Sequence, residues 1–140
     1  MSTKLKNLMQ LLLVTVGLSV VFVHVHPTPL TLMNIAGLVL MVVGLILWVT
    51  ARLQLGDSFS VSAQARKLVT HGLYSKIRNP VYVFGAMALG GFALAIGRPI
   101  FLLGLLLIVP LQINRARAES KVLEEKFGDA YHEYRRKTWF

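Results

Sequence analysis

The sequence contains no cysteine, which excludes disulfide frameworks, thiolate zinc sites and cysteine nucleophiles. Acidic residues are also few, with 6 Asp and Glu against 15 Lys and Arg. Charged residues make up 15% of the chain, whereas soluble domains have about 25%. Because 55% of the 140 residues are hydrophobic, the composition argues against a soluble domain with a single core. We therefore expect an integral membrane protein.

The charge-free stretches predict membrane spans. No charged residue occurs between Lys6 and Arg52, and this run of 45 residues is interrupted only by a segment with two prolines at 24–29. It predicts spans at 7–25 and 30–51, each near the length that a bilayer core of about 30 Å requires. Since no small-residue cleavage site follows the first span, we interpret it as a membrane helix rather than a signal peptide. Two more uncharged stretches, 79–97 and 99–114, predict a helical hairpin.

The fold class that follows is all-α, with residues 1–140 forming one polytopic membrane domain of about four transmembrane helices. With four spans, three segments lie on the same side of the membrane: the one before the first span, the one between the second and third, and the one after the fourth. These segments hold 14 of the 15 Lys and Arg residues, and only Arg98 lies on the opposite side. The positive-inside rule places the side of these three segments in the cytosol, with both termini, and we expect the bacterial inner (plasma) membrane. Membrane topology and attraction to anionic membrane lipids explain the excess of basic over acidic residues, so nucleic acid is not needed as a partner.

The polar segment from Arg52 to Arg78 is 27 residues long, which is more than a passive turn requires. We interpret it as a functional cytosolic loop at the bilayer surface. Asn79 and Pro80 follow it and begin a helix, whose N-terminus can hold a carboxylate or phosphate group. The plainer interpretation, which the residues alone favour, is that Asn79 only caps the helix and that Arg78 reaches lipid phosphate.

The fourth span continues past Pro110 as a cytosolic helix to Phe127, where Gly128 ends it. The remaining tail is rich in aromatic and basic residues, as interfacial segments are. Small residues recur in the third span at helical spacing, which predicts close helix packing and permits pairing in a homo-oligomer. His24 and His26 are two residues apart, a poor spacing for a metal site on a helix, so we expect no metal.

Spacing on the cytosolic helix places Glu119 on its inner face. The residue falls within a stripe spaced by three and four positions, made of Ala116, Glu119, Leu123 and Phe127. An inward carboxylate near a membrane is costly unless it meets a cation or a donor, so a cationic or amine-bearing ligand fits here. The alternative is a surface ion pair with Arg115, which lies one turn earlier.

Two blocks of residues in the region 52–134 together resemble a known family. The first block is Leu68-Val69-Thr70-x-Gly72-x-Tyr74-x-x-x-Arg78-Asn79-Pro80-x-Tyr82. The second block is Arg115-x-x-x-Glu119-x-x-x-Leu123-x-x-x-Phe127-Gly128-x-x-Tyr131-x-x-Tyr134. They occur in this order around a helical hairpin, and the chain resembles the isoprenylcysteine carboxyl methyltransferase and phospholipid methyltransferase family of integral membrane enzymes.

The resemblance implies an S-adenosylmethionine-dependent methyltransferase with its active site at the cytosolic membrane surface. It also implies a lipophilic or membrane-bound methyl acceptor that enters from the bilayer and faces Arg115. The positions that match the family's cofactor pocket are Lys67, Leu68, Val69, Tyr74, Asn79, Pro80, Val81, Tyr82 and Glu119.

The catalytic candidates are Arg115 and Tyr82. Arg115 would hold a carboxylate acceptor, whereas an amine acceptor would need a base, for which Tyr82 and Glu119 are the candidates. The chain departs from the family pattern at Asn79, where His is usual, and at Ser120, where a second Glu is usual. Two alternatives remain open: a membrane reductase that binds NADPH, because sterol reductases carry a similar Arg-x-Pro-x-Tyr block, and a membrane scaffold without catalysis.

Overall fold

The computed structural model describes residues 3–25, 29–56, 68–98 and 100–140. Over these residues the chain forms five α-helices, and no β-strand occurs among them beyond one isolated bridge. A short 3-10 helix, Gly72–Ser75, precedes the third α-helix. The all-α prediction is therefore confirmed. The helices are α1 (Thr3–Val25), α2 (Leu32–Leu55), α3 (Pro80–Ala95), α4 (Ile100–Phe127) and α5 (Asp129–Lys137).

Each of the four predicted spans is helical, with shifted boundaries. Helix α2 begins two residues later than predicted because Thr31 caps it. The Thr31 side chain accepts a hydrogen bond from the Asn34 N–H at 3.3 Å, and Asn34 Oδ1 accepts one from the Thr31 N–H at 2.8 Å. The helix then continues four residues beyond the predicted end and stops at Gly56, whose φ of 51° favours glycine.

Among the described residues, two helices are long and apolar enough to cross a membrane, Leu32–Leu55 and Ile100–Phe127. Two shorter apolar helical segments accompany them, Leu12–Val21 and Pro80–Ala95. Large apolar side chains project outward from these long helices, and Leu32, for example, is 83% exposed. An apolar outer surface of this extent is typical of a protein that lies in lipid.

Helices α2 and α3 run antiparallel. They pack closely because small residues of α3 face glycines of α2. A Cβ atom on Gly37 would lie 2.5 Å from the Ala95 nitrogen, and one on Gly44 would lie 2.7 Å from the Ala88 nitrogen. Gly91 likewise lies against the main chain of Met41. The predicted role of these small residues in close packing is confirmed, and the partner of this face is a helix of the same chain. Pairing in a homo-oligomer stays a prediction.

Helix α4 continues through Pro110 to Phe127, as predicted, and Gly128 turns the chain with a φ of 48°. The tail then forms α5, which the sequence interpretation missed. Tyr131 and Tyr134 of this helix are 0% and 8% exposed, so the assignment of these two tyrosines to the membrane interface was wrong. They are buried because the tail folds back onto the segment before α3.

The predicted cytosolic loop is only partly described. Its middle, residues 57–67, lies outside the described residues, and this part includes Lys67.

Candidate functional site

A hydrogen bond between α3 and α4 lies at the centre of the candidate site. The Tyr82 hydroxyl donates to Glu119 Oε1 at 2.6 Å, and the pair is partly buried. Arg115 approaches the same oxygen, with its Nε atom 3.6 Å away. Both interpretations of Glu119 made from the sequence therefore hold at once, because its carboxylate faces α3 and also lies next to Arg115.

A cavity of about 300 Å³ lies beside this pair, between α1, α2, α3 and α4. Its polar side chains come from the same end of the helix bundle, where α2 ends and α3 begins. The rest of the wall is apolar, so the cavity suits a molecule with a hydrocarbon part and a polar group. The lining residues are Val14, Leu18, Leu45, Trp48, Arg52, Val81, Tyr82, Gly85, Ala88, Leu89, Gln112 and Arg115.

Sequence reasoning missed three of the polar or aromatic lining residues, namely Trp48, Arg52 and Gln112. Arg52 is only 6% exposed, and its guanidinium lies 5.5 Å from the centroid of the Trp48 ring. Trp48 also faces Gly85, where a Cβ atom would lie 3.5 Å from the indole ring. The spacing of Leu45, Trp48 and Arg52 was the available signal, because residues three, four and seven apart share one helix face.

The segment before α3 is fixed against the end of α2. Val69 and Tyr74 are 7% and 6% exposed and form a hydrophobic cluster with Ala51. The Gln54 side chain accepts a hydrogen bond from the Leu73 N–H at 2.8 Å. Gly72, with a φ of 61°, lies so close to the Gln54 amide that a larger residue would displace it. Val69 and Tyr74 thus fix the position of the segment that leads into α3, and Val81, which lines the cavity, packs on the same cluster.

Asn79 and Arg78 lie where α3 begins. The Asn79 carbonyl accepts hydrogen bonds from the N–H groups of Tyr82 and Val83 at 3.1 and 3.3 Å, so the residue does cap the helix through its main chain. Its side chain makes no capping hydrogen bond, contrary to the plainer interpretation of the sequence. Within the described part of the chain, the buried Nε atom of Arg78 has no hydrogen-bond partner. Polar groups are thus available beside the helix N-terminus.

Two tyrosines that support this segment keep their protons far above neutral pH. Burial raises the pKa of Tyr74 above its usual value. Burial, with a smaller contribution from Tyr131, raises the pKa of Tyr134 to about 12. The Tyr134 hydroxyl donates to the Tyr74 carbonyl at 2.8 Å in a buried contact. Both residues act here as neutral supports rather than as bases.

The structure divides the predicted site residues into two groups. Tyr82, Arg115 and Val81 line the cavity, and Glu119 contacts the first two of them from outside its lining. The second group lies on the segment that leads into α3 and comprises Leu68, Val69, Tyr74, Asn79 and Pro80. Chemically, the first group offers one carboxylate to a cationic ligand and one guanidinium to an anionic ligand, next to an apolar cavity.

Comparisons with known proteins match this region. A family model described as phospholipid methyltransferase matches residues 32–130. The chain is 32% identical over 121 residues to a protein-S-isoprenylcysteine O-methyltransferase of Xenopus laevis, and this match covers 78% of the chain and 40% of the relative. It is 37% identical over 95 residues to a protein of the same name from Schizosaccharomyces pombe, which covers 64% of the chain and 40% of that relative. The chain thus spans less than half the length of these two relatives.

Proposed function

This chain belongs to the phospholipid methyltransferase family, and from that premise we propose that it is a membrane methyltransferase that uses S-adenosylmethionine. The observation that carries the proposal is the Tyr82–Glu119 hydrogen bond beside an apolar cavity lined by Arg52 and Arg115. Both curated relatives named above are O-methyltransferases. The comparisons therefore do not favour the NADPH-dependent reductase or the inactive scaffold.

The chemistry of the donor set fits this cofactor. S-adenosylmethionine, when bound, supplies a methyl group on a positively charged sulfur, and its amino acid part carries an amine and a carboxylate. Glu119 is the acceptor for positive charge, and Tyr82 holds its carboxylate in place. The buried Nε atom of Arg78 and the Asn79 amide supply donors for a carboxylate. The Asn79 amide serves here in place of the histidine that the family usually has.

The acceptor that we propose is a lipophilic molecule with an anionic oxygen, such as the carboxylate of an S-isoprenylated cysteine. The cavity offers apolar walls for the hydrocarbon part, and Arg52 and Arg115 place two guanidinium groups among its lining. An amine acceptor fits less well, because the two guanidinium groups would repel its positive charge. The names of the curated relatives, which are O-methyltransferases of isoprenylcysteine proteins, support the same choice.

In this mechanism the protein positions the reactants and excludes water. Methyl transfer from a sulfonium to a carboxylate is an in-line displacement that needs alignment and desolvation but no strong base. Arg115 would hold the acceptor oxygen, the apolar lining would keep water out, and Glu119 would bind the positive charge of the cofactor. Tyr82 orients Glu119 in this scheme and does not take a proton.

We further propose a topology of four membrane helices, α1 to α4, with both termini and the site on the cytosolic face. The distribution of cations supports this orientation, since 14 of the 15 flank the predicted spans on that side. The bacterial inner membrane stays our expectation for its location.

The direct test is methyl transfer to a lipophilic acceptor in membranes. Membranes from cells that express the protein are incubated with methyl-labelled S-adenosylmethionine and an S-isoprenylated cysteine, and the labelled product is extracted into organic solvent. We expect label in a base-labile methyl ester, and none with Glu119→Ala. Label in an amine-linked methyl group would contradict the carboxylate acceptor, and no label in any lipid would contradict the methyltransferase.

A further inference from the structure

The last residues of the chain are joined to the segment before α3 by main-chain hydrogen bonds. The N–H groups of Arg78 and Asn79 donate to the carbonyls of Trp139 and Phe140 at 3.0 and 2.9 Å. The Trp139 N–H donates to the Lys76 carbonyl at 3.1 Å. Residues 138–140 therefore run parallel to residues 76–79 like a short strand, and we name them the C-terminal strap.

The strap is hydrogen-bonded to the chain directly before α3, which carries cavity-lining residues of the candidate site. Asn79, which it holds, accepts the first hydrogen bonds of α3 from Tyr82 and Val83. Tyr82 in turn donates to Glu119. A displacement of Asn79 therefore moves the first turn of α3, and with it the hydroxyl that orients Glu119.

Helix α5 anchors the strap to the rest of the protein. Tyr131 is fully buried, and the Tyr134 hydroxyl donates to the Tyr74 carbonyl at 2.8 Å. Thr138 ends the helix with a hydrogen bond from its hydroxyl to the Tyr134 carbonyl at 2.9 Å. Because α5 follows directly on α4, the main chain connects Glu119 of α4 to the strap. Hydrogen bonds through Asn79 and Tyr82 connect the strap back to Glu119.

We propose that the C-terminal strap is a positioning element of the cofactor site, which holds Arg78 and Asn79 in the arrangement that binds S-adenosylmethionine. This inference rests on the proposed function. The family match ends at residue 130, so the strap lies outside the matched residues. The strap acts through its main chain, because the Trp139 side chain is 60% exposed while its N–H and carbonyl are both bonded.

Two substitutions at one position separate the main chain of the strap from its side chain. Trp139→Pro removes the N–H that donates to the Lys76 carbonyl, and Thr138 already has the extended backbone that a following proline requires, with φ −123° and ψ 149°. Trp139→Ala keeps the N–H and removes only the exposed indole. The two variants are compared with the unchanged protein in the same detergent.

The first readout is the dissociation constant of S-adenosylhomocysteine, measured by calorimetry, which needs no turnover. We expect Trp139→Ala to bind as the unchanged protein does, and Trp139→Pro to bind about fivefold more weakly, as the loss of one hydrogen bond predicts. The KM for S-adenosylmethionine should rise with it, while kcat at saturating cofactor is retained. The second readout is hydrogen exchange, which should accelerate at the amides of Arg78 and Asn79 only in the proline variant.

Equal affinity in the two variants, with faster exchange at Arg78 and Asn79 in the proline variant, would show that the strap only stabilises the fold, and would overturn the inference alone. A protein that binds no S-adenosylhomocysteine before any substitution would overturn the proposed function and this inference with it. If Trp139→Pro does not fold, Tyr134→Phe replaces it, because this change removes only the hydroxyl that anchors α5 to Tyr74. The same weakening of S-adenosylhomocysteine binding is then expected, and unchanged binding would overturn the inference.

Discussion

The hydroxyl of Tyr82 lies 2.6 Å from Oε1 of Glu119 and donates a hydrogen bond to it. The contact joins the first turn of α3 to the part of α4 that follows Pro110, and it fixes a carboxylate beside the N-terminal end of α3. Because Arg115 lies 3.6 Å from the same oxygen, the carboxylate is held from two sides. A group that is already oriented binds a ligand at a lower entropic cost.

The first prediction concerns the charge of Glu119. Glu119→Gln keeps the shape of the side chain and removes its negative charge, so the positive charge of the cofactor loses its partner. Hydrogen bonds to charged groups contribute about 1.5–3 kcal/mol, which corresponds to an increase of roughly 10- to 150-fold in the dissociation constant of S-adenosylmethionine. Calorimetric titration of the purified protein measures this change.

The matched control for this prediction is Glu125→Gln, which removes the same charge from an exposed position on the same helix. We expect cofactor affinity to be unchanged in the control. Similar affinities in the two variants would show that Glu119 does not contact the cofactor.

The second prediction separates the acceptor from the cofactor. Arg115→Gln removes a guanidinium from the cavity lining, so we expect the KM for an S-isoprenylated cysteine to rise by about tenfold, as for a lost contact with a charged group. The dissociation constant of S-adenosylmethionine should stay nearly constant, because a partly exposed ion pair contributes little and the Tyr82 hydroxyl still orients Glu119. Steady-state kinetics with each substrate varied in turn provide the measurement.

Arg117→Gln serves as the control, since Arg117 is exposed on the same helix and does not line the cavity. An equal loss in the two variants would indicate a general effect of positive charge at the membrane surface. A rise in the dissociation constant of the cofactor, with no change in the KM for the acceptor, would show that Arg115 binds the cofactor and not the acceptor.

The third prediction concerns the packing of α2 on α3. A Cβ atom on Gly44 would lie 2.7 Å from the Ala88 nitrogen, so Gly44→Ala forces the two helices apart. Such overpacking costs about 1–3 kcal/mol of stability. Thermal unfolding in one detergent should show a lower midpoint for this variant.

Gly104→Ala is the control for packing, because a Cβ atom at Gly104 of α4 meets nothing within 4 Å. Alanine stabilises a helix relative to glycine by up to about 1 kcal/mol, so the midpoint should stay constant or rise. Equal midpoints for the two variants would argue against the close contact between α2 and α3.

The fourth prediction concerns alkaline pH. Burial raises the pKa of Tyr134 from 10.0 to about 12, so the folded protein keeps this proton where the unfolded chain has released it. The stability that this group contributes is complete below pH 10.0 and is lost as pH rises toward about 12. Tyr134→Phe removes the group, so its unfolding midpoint should fall less steeply over this interval. Equal slopes for the variant and the unchanged protein would contradict the burial of Tyr134.

Local patterns in the sequence were sufficient for much of this fold. The charge-free runs predicted that α1 to α4 are helical, and Gly128 correctly predicted the end of α4. The three- and four-residue spacing around Glu119 predicted that its carboxylate turns toward the other helices, and it does reach Tyr82. These features depend on helix geometry and residue type within one segment.

Other features depend on contacts between distant segments. Tyr131 and Tyr134 are buried only because the tail returns to Tyr74, and a tail rich in aromatic and basic residues has the same composition as an interfacial anchor. Arg52 looked like a flanking charge at the end of a span, but packing of α3 on α2 encloses it beside Trp48. The choice between these alternatives requires the tertiary arrangement.

The most direct measurement is the titration of the purified protein with S-adenosylmethionine and, separately, with NADPH. We expect saturable binding of S-adenosylmethionine at one site, weakened by Glu119→Gln, and no binding of NADPH. Binding of NADPH without binding of S-adenosylmethionine would contradict the proposed methyltransferase site and would favour a membrane reductase.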